Sequence, residues 1–530
     1  MLLTLGAGAL GTAHGAGGAG EAIYRQGIAP SGQPVEAVRS DGPSLRGSDA
    51  ACLNCHRRSG LGWTEGKLAI PPVAGPYLFV PRGKSLAELG VPFVDTAHVI
   101  HDPYTDESLA RAIRDGVGSD GRPLNYLMPH YRLDAKAMSA LIAYLKGMSV
   151  KPAPGVTPEV LHFATIITPD ADPVKRRGML SVINQYFVDR NNAAARTKAP
   201  TLYSSHTTMF RVERRWQLHV WELTGTPSTW EKQLREHLAV QPVFAVLSGL
   251  AGSDWEPVEK FCEQQAVPCL FPNVEAPAGG DADFYTVYFS RGVLLEAELI
   301  SPQLTGAAPR PQRVIQIFRS GDVGVAAARA LQRAQGSAGP PVVNRILKAH
   351  GSPEELAGAL REVGPTDALV LWLRPGDLHA LGGLTPGTAS VWASGEMGGL
   401  EQAPLPPEWR RVARLAYTVD LPGQRVVRVD YALSWFRLRR IPLLDEKVQV
   451  DTYLALGLAA ETLNHMVDAF VRDYLIERVD MLLDHRALTG YYPRLSLAPG
   501  QRFASKGGYV VRFTEAQGTH VAPLGAWVTP

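Results

Sequence analysis

"PVFAVLSGLAGSDWEPVEKFCEQQAVPCLFP", residues 242–272, decides how most of this chain folds. An apolar run leads into a glycine-rich turn, an amphipathic stretch follows, and "VPCLF" opens a second apolar run. The pattern reads as strand, turn, helix, strand, with Ser253 and Glu256 forming a capping box at the helix start. Two strands joined through a helix run parallel, and the sheet they form is covered by helices on both faces. The loop "LSGLAGSD", residues 247–254, then lies at the C-terminal end of a strand, where such sheets hold ligands. Two readings of it stay open. Ser248, Gly249, Gly252 and Ser253 form a polar cradle, or Ser253 simply caps the helix without any ligand.

The alternation continues on either side. Upstream, "LHFATIIT" at 161–168 and "LHVWELTG" at 218–225 read as strands. The first precedes an amphipathic run through Met179, Ile183 and Phe187, the second a helix "STWEKQLREHL" with Ser228 and Glu231 as capping box. Downstream come "RVIQIF", "GDVGVAAARALQRA", "SPEELAGALREV" and "DALVLWL". About 370 residues of this repetition exceed one core and predict two α/β lobes with parallel sheets. Cys262 and Cys269 flank a helix-to-strand turn. In an oxidising compartment they pair and close a short loop worth about 2 to 3 kcal/mol. The alternative is two inert, buried thiols, since Cys262 follows Phe261 on the apolar side of its helix.

Before residue 160 the texture changes. "KGMSVKPAPGVTPEV", residues 146–160, holds three prolines and two glycines and reads as a semi-rigid linker, placed at 150–159. It separates residues 21–149 from residues 160–530. The first part contains "ACLNCHRRSGLG", residues 51–62, with two of the four cysteines and a histidine directly behind the second. In a chain with four Cys and fourteen His among 530 residues, chance gives this pattern about once in a thousand. Zinc needs four ligands, and the other two cysteines are far away. A redox dithiol follows a strand, and none precedes this pair. Haem attachment is left: Cys52 and Cys55 add to the two vinyl groups from one helical turn, and His56 points an imidazole nitrogen at iron. For the sixth position Met128 stands on a non-periodic stretch ahead of Pro129, which keeps it out of the helical region. His130 competes with it. Met138 belongs to the core of a helix capped by Asp134, and His98 and His101 are surface residues.

These stretches resemble a class I, mono-haem cytochrome c: "CLNCHRRSGLG", "IPPVAGPYL", "YTDESLARAIRDGV" and "LMPHYRLDAKAMSALIAYLKGM" follow one another in that family's order. The resemblance covers residues 21–149 and implies an all-α domain with one covalent haem c per chain. It implies His56 and Met128 as axial ligands, and a carbonyl of Pro71 or Pro72 that orients His56. The segment "YLFVPRGKSLAELGVPFVDTAHVIHDP" departs from the family as an insertion of unassigned role.

From about 161 to 513 the chain resembles type I periplasmic binding proteins, the branched-chain amino-acid receptors of ABC transport. The resemblance rests on the first strand with "RGMLSVINQYFVDRN", the loop at Ser248, "FYTVYFSRGVLLEAELI" and "VDTYLALGLAAETLNHMV". It implies two lobes that close on a small molecule, with Ser248, Ser253, Tyr288 and Ser290 in the pocket. Glu396, in "WASGEMGG", is then a counter-ion for an amine.

Composition is neutral on partners. A net charge of +2, 20% charged and 45% hydrophobic residues point away from nucleic acid and anionic membranes. Residues 1–20 carry a short apolar run and small residues without a basic start. They are expected to be the remnant of an export signal, too short to span a bilayer, so the mature chain is expected to have no membrane span and to be periplasmic. Two functions compete. One is a periplasmic electron carrier served by a redox partner, a dehydrogenase or terminal acceptor, with a fused ligand-binding or docking domain. The other is a solute receptor of an ABC-type uptake or sensing system that carries a haem. A haem enzyme is disfavoured, because a His/Met pair fills both axial positions.

Overall fold

The computed structural model describes residues 16–40, 42–65, 68–80, 91–92, 94, 101–196, 202–204, 207–208, 214–280, 283–498 and 500–530. The chain divides into two compact units. The smaller takes residues 1–153, 200–212 and 464–477, the larger 154–199, 213–463 and 478–530.

In the larger unit the apolar runs become two sheets. The first is wholly parallel, in the order Thr286–Val287, Cys269–Leu270, Ala245–Leu247, Val160–Ile167, Arg215–Glu222. Its central strand Ala245–Leu247 is buried on both faces, which is why the sequence there is continuously apolar rather than alternating. Trp221, Trp230, Trp255, Val258 and Phe261 fill the layer beneath the helices Trp230–Val240 and Glu256–Gln264. Cys262 on the second helix and Cys269 on the following strand are both buried and joined by a disulfide, with Cα atoms 6.2 Å apart.

The second sheet runs Val342–Leu347, Val314–Arg319, Ala368–Trp372, Ser390–Ser394, Ala413–Tyr417, Tyr509–Phe513, Val521–Pro523. Its first five strands are parallel; the last two are antiparallel additions, which the alternation of strand and helix does not predict. Residues 514–520, between those last two strands, are fewer than the dozen or so a parallel crossover needs. Both expected capping boxes are absent. The helix Trp230–Val240 is entered through a 3₁₀ turn, Pro227–Thr229, and Glu256–Gln264 starts after Trp255, with Asp254 rather than Ser253 accepting from the Glu256 N–H, at 3.0 Å. Pro257 at its second position lacks one of the N–H groups a cap would satisfy.

The smaller unit is not all-α as expected. Its helices Ala16–Gln26, Asp106–Asp115 and Ala135–Gly147 are joined by a three-stranded antiparallel sheet in the order Ser44–Arg46, Glu36–Val38, His130–Arg132. Strands of three residues are too short to show a period of two. Helices Ala16–Gln26 and Ala135–Gly147 approach so closely that a Cβ on Gly20 would stand 2.2 Å from the Ala140 carbonyl oxygen. Ile23 and Tyr24 bury against the core that holds Met138, Leu141 and Ile142, and Asp134 caps the second helix, accepting from the Ala137 N–H at 2.7 Å. Residues 16–20 belong to the helix Ala16–Gln26, and residues 1–15 lie outside those described.

The expected linker is docked rather than free. Ala153 N–H donates to the Phe470 carbonyl at 2.9 Å within the smaller unit, and the Gly155 carbonyl accepts from His162 N–H at 2.8 Å within the larger. Residues 464–477 also leave the expected 160–530 domain, since no break in composition marks them. This segment supplies a buried carboxylate to the loop behind the Cys-x-x-Cys-His motif. Ser59 donates to Glu477 through its N–H at 2.8 Å and its hydroxyl at 2.6 Å. Burial pushes the Glu477 carboxyl up to about 8 despite those two donors. An acid raised in the folded state stabilises fully below its unfolded pKa of about 4.3 and loses that contribution as pH rises through the folded value. The expected slope is up to about 1.4 kcal/mol per pH unit. Glu477→Gln should flatten the decline of Tm between about pH 5 and 8; an unchanged slope in thermal unfolding would refute the assignment.

Candidate functional site

A cleft of about 970 Å³ lies within the larger unit. Its walls are the loops that follow strand ends: residues 170–175, 250–253 and 272–275 come after strands of the first sheet, and 321–322, 374–375 and 396–402 after strands of the second. Parallel strands end on one side of their sheet, so two facing sheets bring all these loops together.

The cleft is knit by ion pairs. Glu275 receives Lys175 Nζ at 2.8 Å and Arg374 Nη1 at 2.6 Å, and Arg374 also meets Asp322 at 2.6 Å. Burial alone would raise the Glu275 carboxyl, but Lys175 and Arg374 outweigh it and hold it down at about 2. Lys447 lies 3.1 Å from both Glu396 and Asp451. Those two carboxylates keep its ammonium charged against the desolvation that would lower its pKa. Lys447 is on the helix Glu446–Met466, which packs on the first sheet through Thr452, whose Oγ1 accepts from Asn273 Nδ2 at 3.1 Å. Glu396 follows a strand of the second sheet. The pair thus ties the two lobes across the cleft.

Of the residues singled out in the sequence, Gly252, Ser253, Ser290 and Glu396 line the cleft. Ser253 Oγ donates to Asp170 at 2.6 Å, Ser290 Oγ accepts from Gly292 N–H at 3.2 Å, and Glu396 meets Lys447. Ser248, Gly249 and Tyr288 stand outside the lining. Ser248 is buried and accepts from Asn273 Nδ2 at 2.9 Å; Tyr288 is buried with its ring stacked on Phe503. The sequence reading missed Lys175, Glu275, Arg374, Lys447 and Asp451. The one signal for them was a charged residue shortly beyond an apolar strand, as Arg374 stands beyond "DALVLWL".

In the smaller unit Cys52 stands at the N-cap position of the single-turn helix Leu53–His56, and neither it nor Cys55 is in a disulfide. Burial pushes the Cys52 thiol up to about 12. His56 is buried, and its Nδ1 lies 3.0 Å from the Pro71 carbonyl, so of the two carbonyls considered it is that of Pro71, not Pro72, that meets the ring. Burial lowers the His56 pKa, which keeps the ring neutral. Two thiols one turn apart and a neutral imidazole with one nitrogen anchored form a donor set that fits a covalently held haem. Met128 is half-buried against the unit's core, and Met138 is inside it. His130 lies in a strand, and the His101 ring lies against Tyr104 with the planes tilted by 55°. His98 and most of the insertion lie outside the described residues.

No protein-family model matches the chain, and no curated protein does. Among solved structures it is similar to a solute-binding protein of an ABC transporter from Rhodopseudomonas palustris, solved with 3,4-dihydroxybenzoic acid. That match has a TM-score of 0.51 and 12% identity, and covers 70% of this chain and 97% of that one. Similarity extends to a fatty acid ABC transporter substrate-binding protein from Thermomonospora curvata (TM-score 0.49, 15% identity, 72% and 95% covered). It extends also to a branched-chain amino acid substrate-binding protein from Streptococcus pneumoniae (0.49, 12%, 70% and 100%). The larger unit therefore has the two-lobed α/β fold of type I periplasmic binding proteins. This corrects the electron-carrier reading: seven tenths of the chain takes the fold of a solute-binding protein, so the solute-receptor alternative is the better supported. The dehydrogenase or other redox partner that the carrier required loses its support with it. Among the described residues no helix is long and apolar enough to cross a membrane.

Glu275→Ala leaves Lys175 without its partner and Arg374 with Asp322 alone. With the two cations about a third exposed, the expected cost is up to about 3 kcal/mol. A group with a depressed pKa stabilises above its unfolded value of about 4.3 and loses that as pH falls towards 2. Urea unfolding at pH 7 should show the deficit, and it should shrink in acid. A midpoint unchanged at pH 7 would contradict the bridging role.

Proposed function

We propose that the chain is a solute-binding receptor whose two lobes hold a small molecule in the cleft between their strand-end loops, and that it binds without catalysing. What carries the reading is the cleft itself, walled by loops from both sheets and tied across by Lys447 and Glu396. The Rhodopseudomonas palustris structure named above is a solute-binding protein of an ABC transporter, and an uptake or sensing role of that kind suits this chain. A periplasmic place fits the Cys262–Cys269 disulfide, which persists in an oxidising compartment.

The smaller unit is proposed to carry one haem c, which Cys52 and Cys55 would hold through thioethers, with His56 and Met128 as the residues that would ligate its iron. When bound, such a haem would supply a redox-active iron. Pro71 holds the His56 ring through Nδ1 and so presents Nε2.

Two measurements test this. Thermal unfolding of the purified chain against amino acids, aromatic acids and amines should find a solute that raises Tm; saturation at 100 Kd is worth about 2.7 kcal/mol. Arg374→Ala, which opens the cleft's ion-pair network, should blunt that response. If no solute shifts Tm, the receptor reading fails. Haem should stay with the denatured polypeptide after acid–acetone extraction and be lost from Cys52→Ser with Cys55→Ser; extraction from the unaltered chain would exclude covalent attachment.

A further inference from the structure

The walls of the cleft carry nine carboxylate side chains against four cationic ones, a formal charge of −5. The four cations are already engaged. Glu275 holds Lys175 and Arg374, Glu401 meets Arg425 at 2.6 Å, and Glu396 and Asp451 hold Lys447. The cradle at residues 248–253 is not open to an anion either, because the chain's own Asp170 fills it. That carboxylate accepts from Ser253 Oγ at 2.6 Å, from Thr168 Oγ1 at 2.5 Å and from Gly252 N–H at 3.3 Å. The fit is close: a Cβ on Gly252 would stand 2.6 Å from the Asp170 carboxyl carbon. An acid or an amino acid would have to displace Asp170 or break an ion pair.

The wall offers more to the opposite charge. Asp451 lines the cleft and is 3% exposed. Its Oδ2 accepts from Lys447 Nζ at 3.1 Å and Tyr492 OH at 3.2 Å. Its Oδ1 is buried with no hydrogen-bond partner among the described residues. A buried carboxylate oxygen without a donor is costly, and an ammonium N–H meets the need. Beside it the Tyr491 ring already takes a cation on one face, the Arg425 guanidinium at 4.4 Å. A bare metal ion fits less well. Among the described residues the carboxylate and imidazole ligands that converge within 4.8 Å are Glu259, Glu263 and Asp283, none of them in the cleft wall. At about 970 Å³ the cleft is at the large end of ligand pockets and has room for a chain with more than one charge.

We infer that the cleft takes an organic cation without a carboxylate, a linear diamine or polyamine, with one ammonium on Asp451 Oδ1 beside Tyr491 and Tyr492. The inference rests on the solute-receptor reading and names its ligand class. Isothermal titration of the full chain at low salt tests it with 1,4-diaminobutane, spermidine, leucine, 3,4-dihydroxybenzoate and calcium chloride. One of the amines should bind once per chain and weaken as salt rises. Asp451→Asn should lower that affinity at least tenfold, and Asp451→Glu should keep most of it. If Asp451→Asn does not fold, Tyr491→Leu should still weaken the amine several-fold. Binding of leucine, the benzoate or calcium in place of the amines overturns the cation inference and leaves the receptor reading standing. Amine binding that a folded Asp451→Asn leaves unchanged overturns the assigned position. Binding of none of the five, at any salt, overturns the cation inference, and the wider solute panel then decides the receptor reading separately.

Discussion

Strands that run parallel must end on the same side of their sheet, and the rest of the larger unit follows from that constraint. Each strand end is where backbone groups leave the ladder and a loop turns into a helix, so polar side chains gather there while the strand stays apolar. In this chain six such loops, three from each sheet, surround one cleft. Glu275 shows the consequence. It sits on the segment beyond Cys269–Leu270 and before Thr286–Val287, between Lys175 from one lobe and Arg374 from the other. A carboxylate between two cations is stable in partial burial, where either cation alone with no partner would not be.

That arrangement also limits what can happen in the cleft. A solute can shift the lobes only through a difference in its affinity for their arrangements. The described arrangement already has its cations paired, so an incoming anion competes with the chain's own carboxylates. Lys447, shared by Glu396 and Asp451, is the point of most tension: two acids compete for one ammonium, and burial raises the pKa of Asp451 even beside Lys447. The surplus negative charge is thus not spread evenly over the wall but meets a buried, unpaired oxygen at one place.

The sequence disclosed the periodic parts and hid the aperiodic ones. "PVFAVLSGLAGSDWEPVEKFCEQQAVPCLFP" has strand, turn, helix and strand where the structure has Ala245–Leu247, Glu256–Gln264 and Cys269–Leu270. Runs such as "DALVLWL" are buried on both faces and could hardly be anything else. What escaped was set by neighbours distant in sequence. Ser253 looks like a cap, but its hydroxyl is claimed by Asp170, 83 residues away. The Pro-rich stretch reads as a linker by composition, yet Phe470 and His162 dock its backbone. The antiparallel pair at the C-terminus shows only as two short polar-apolar stretches, which no local pattern joins to the second sheet. Glu275, Lys447 and Asp451 are ordinary charged residues until the fold places them around one cavity.

The Cys-x-x-Cys-His segment obeys a different logic, because its chemistry is local. Both thiols and the imidazole come from one turn of chain, so their juxtaposition is already set by covalent spacing and helix pitch. The fold adds the surroundings. Pro71 fixes the ring, and the motif's exit loop is held by Glu477 from a segment 418 residues later in the chain. That carboxylate reaches Ser59 only because residues 464–477 leave the lobes and join the smaller unit. A motif legible from five residues is therefore supported by a contact that its own sequence neighbourhood could not disclose, and the cost of burying Glu477 is offset only while Ser59 donates both of its hydrogen bonds.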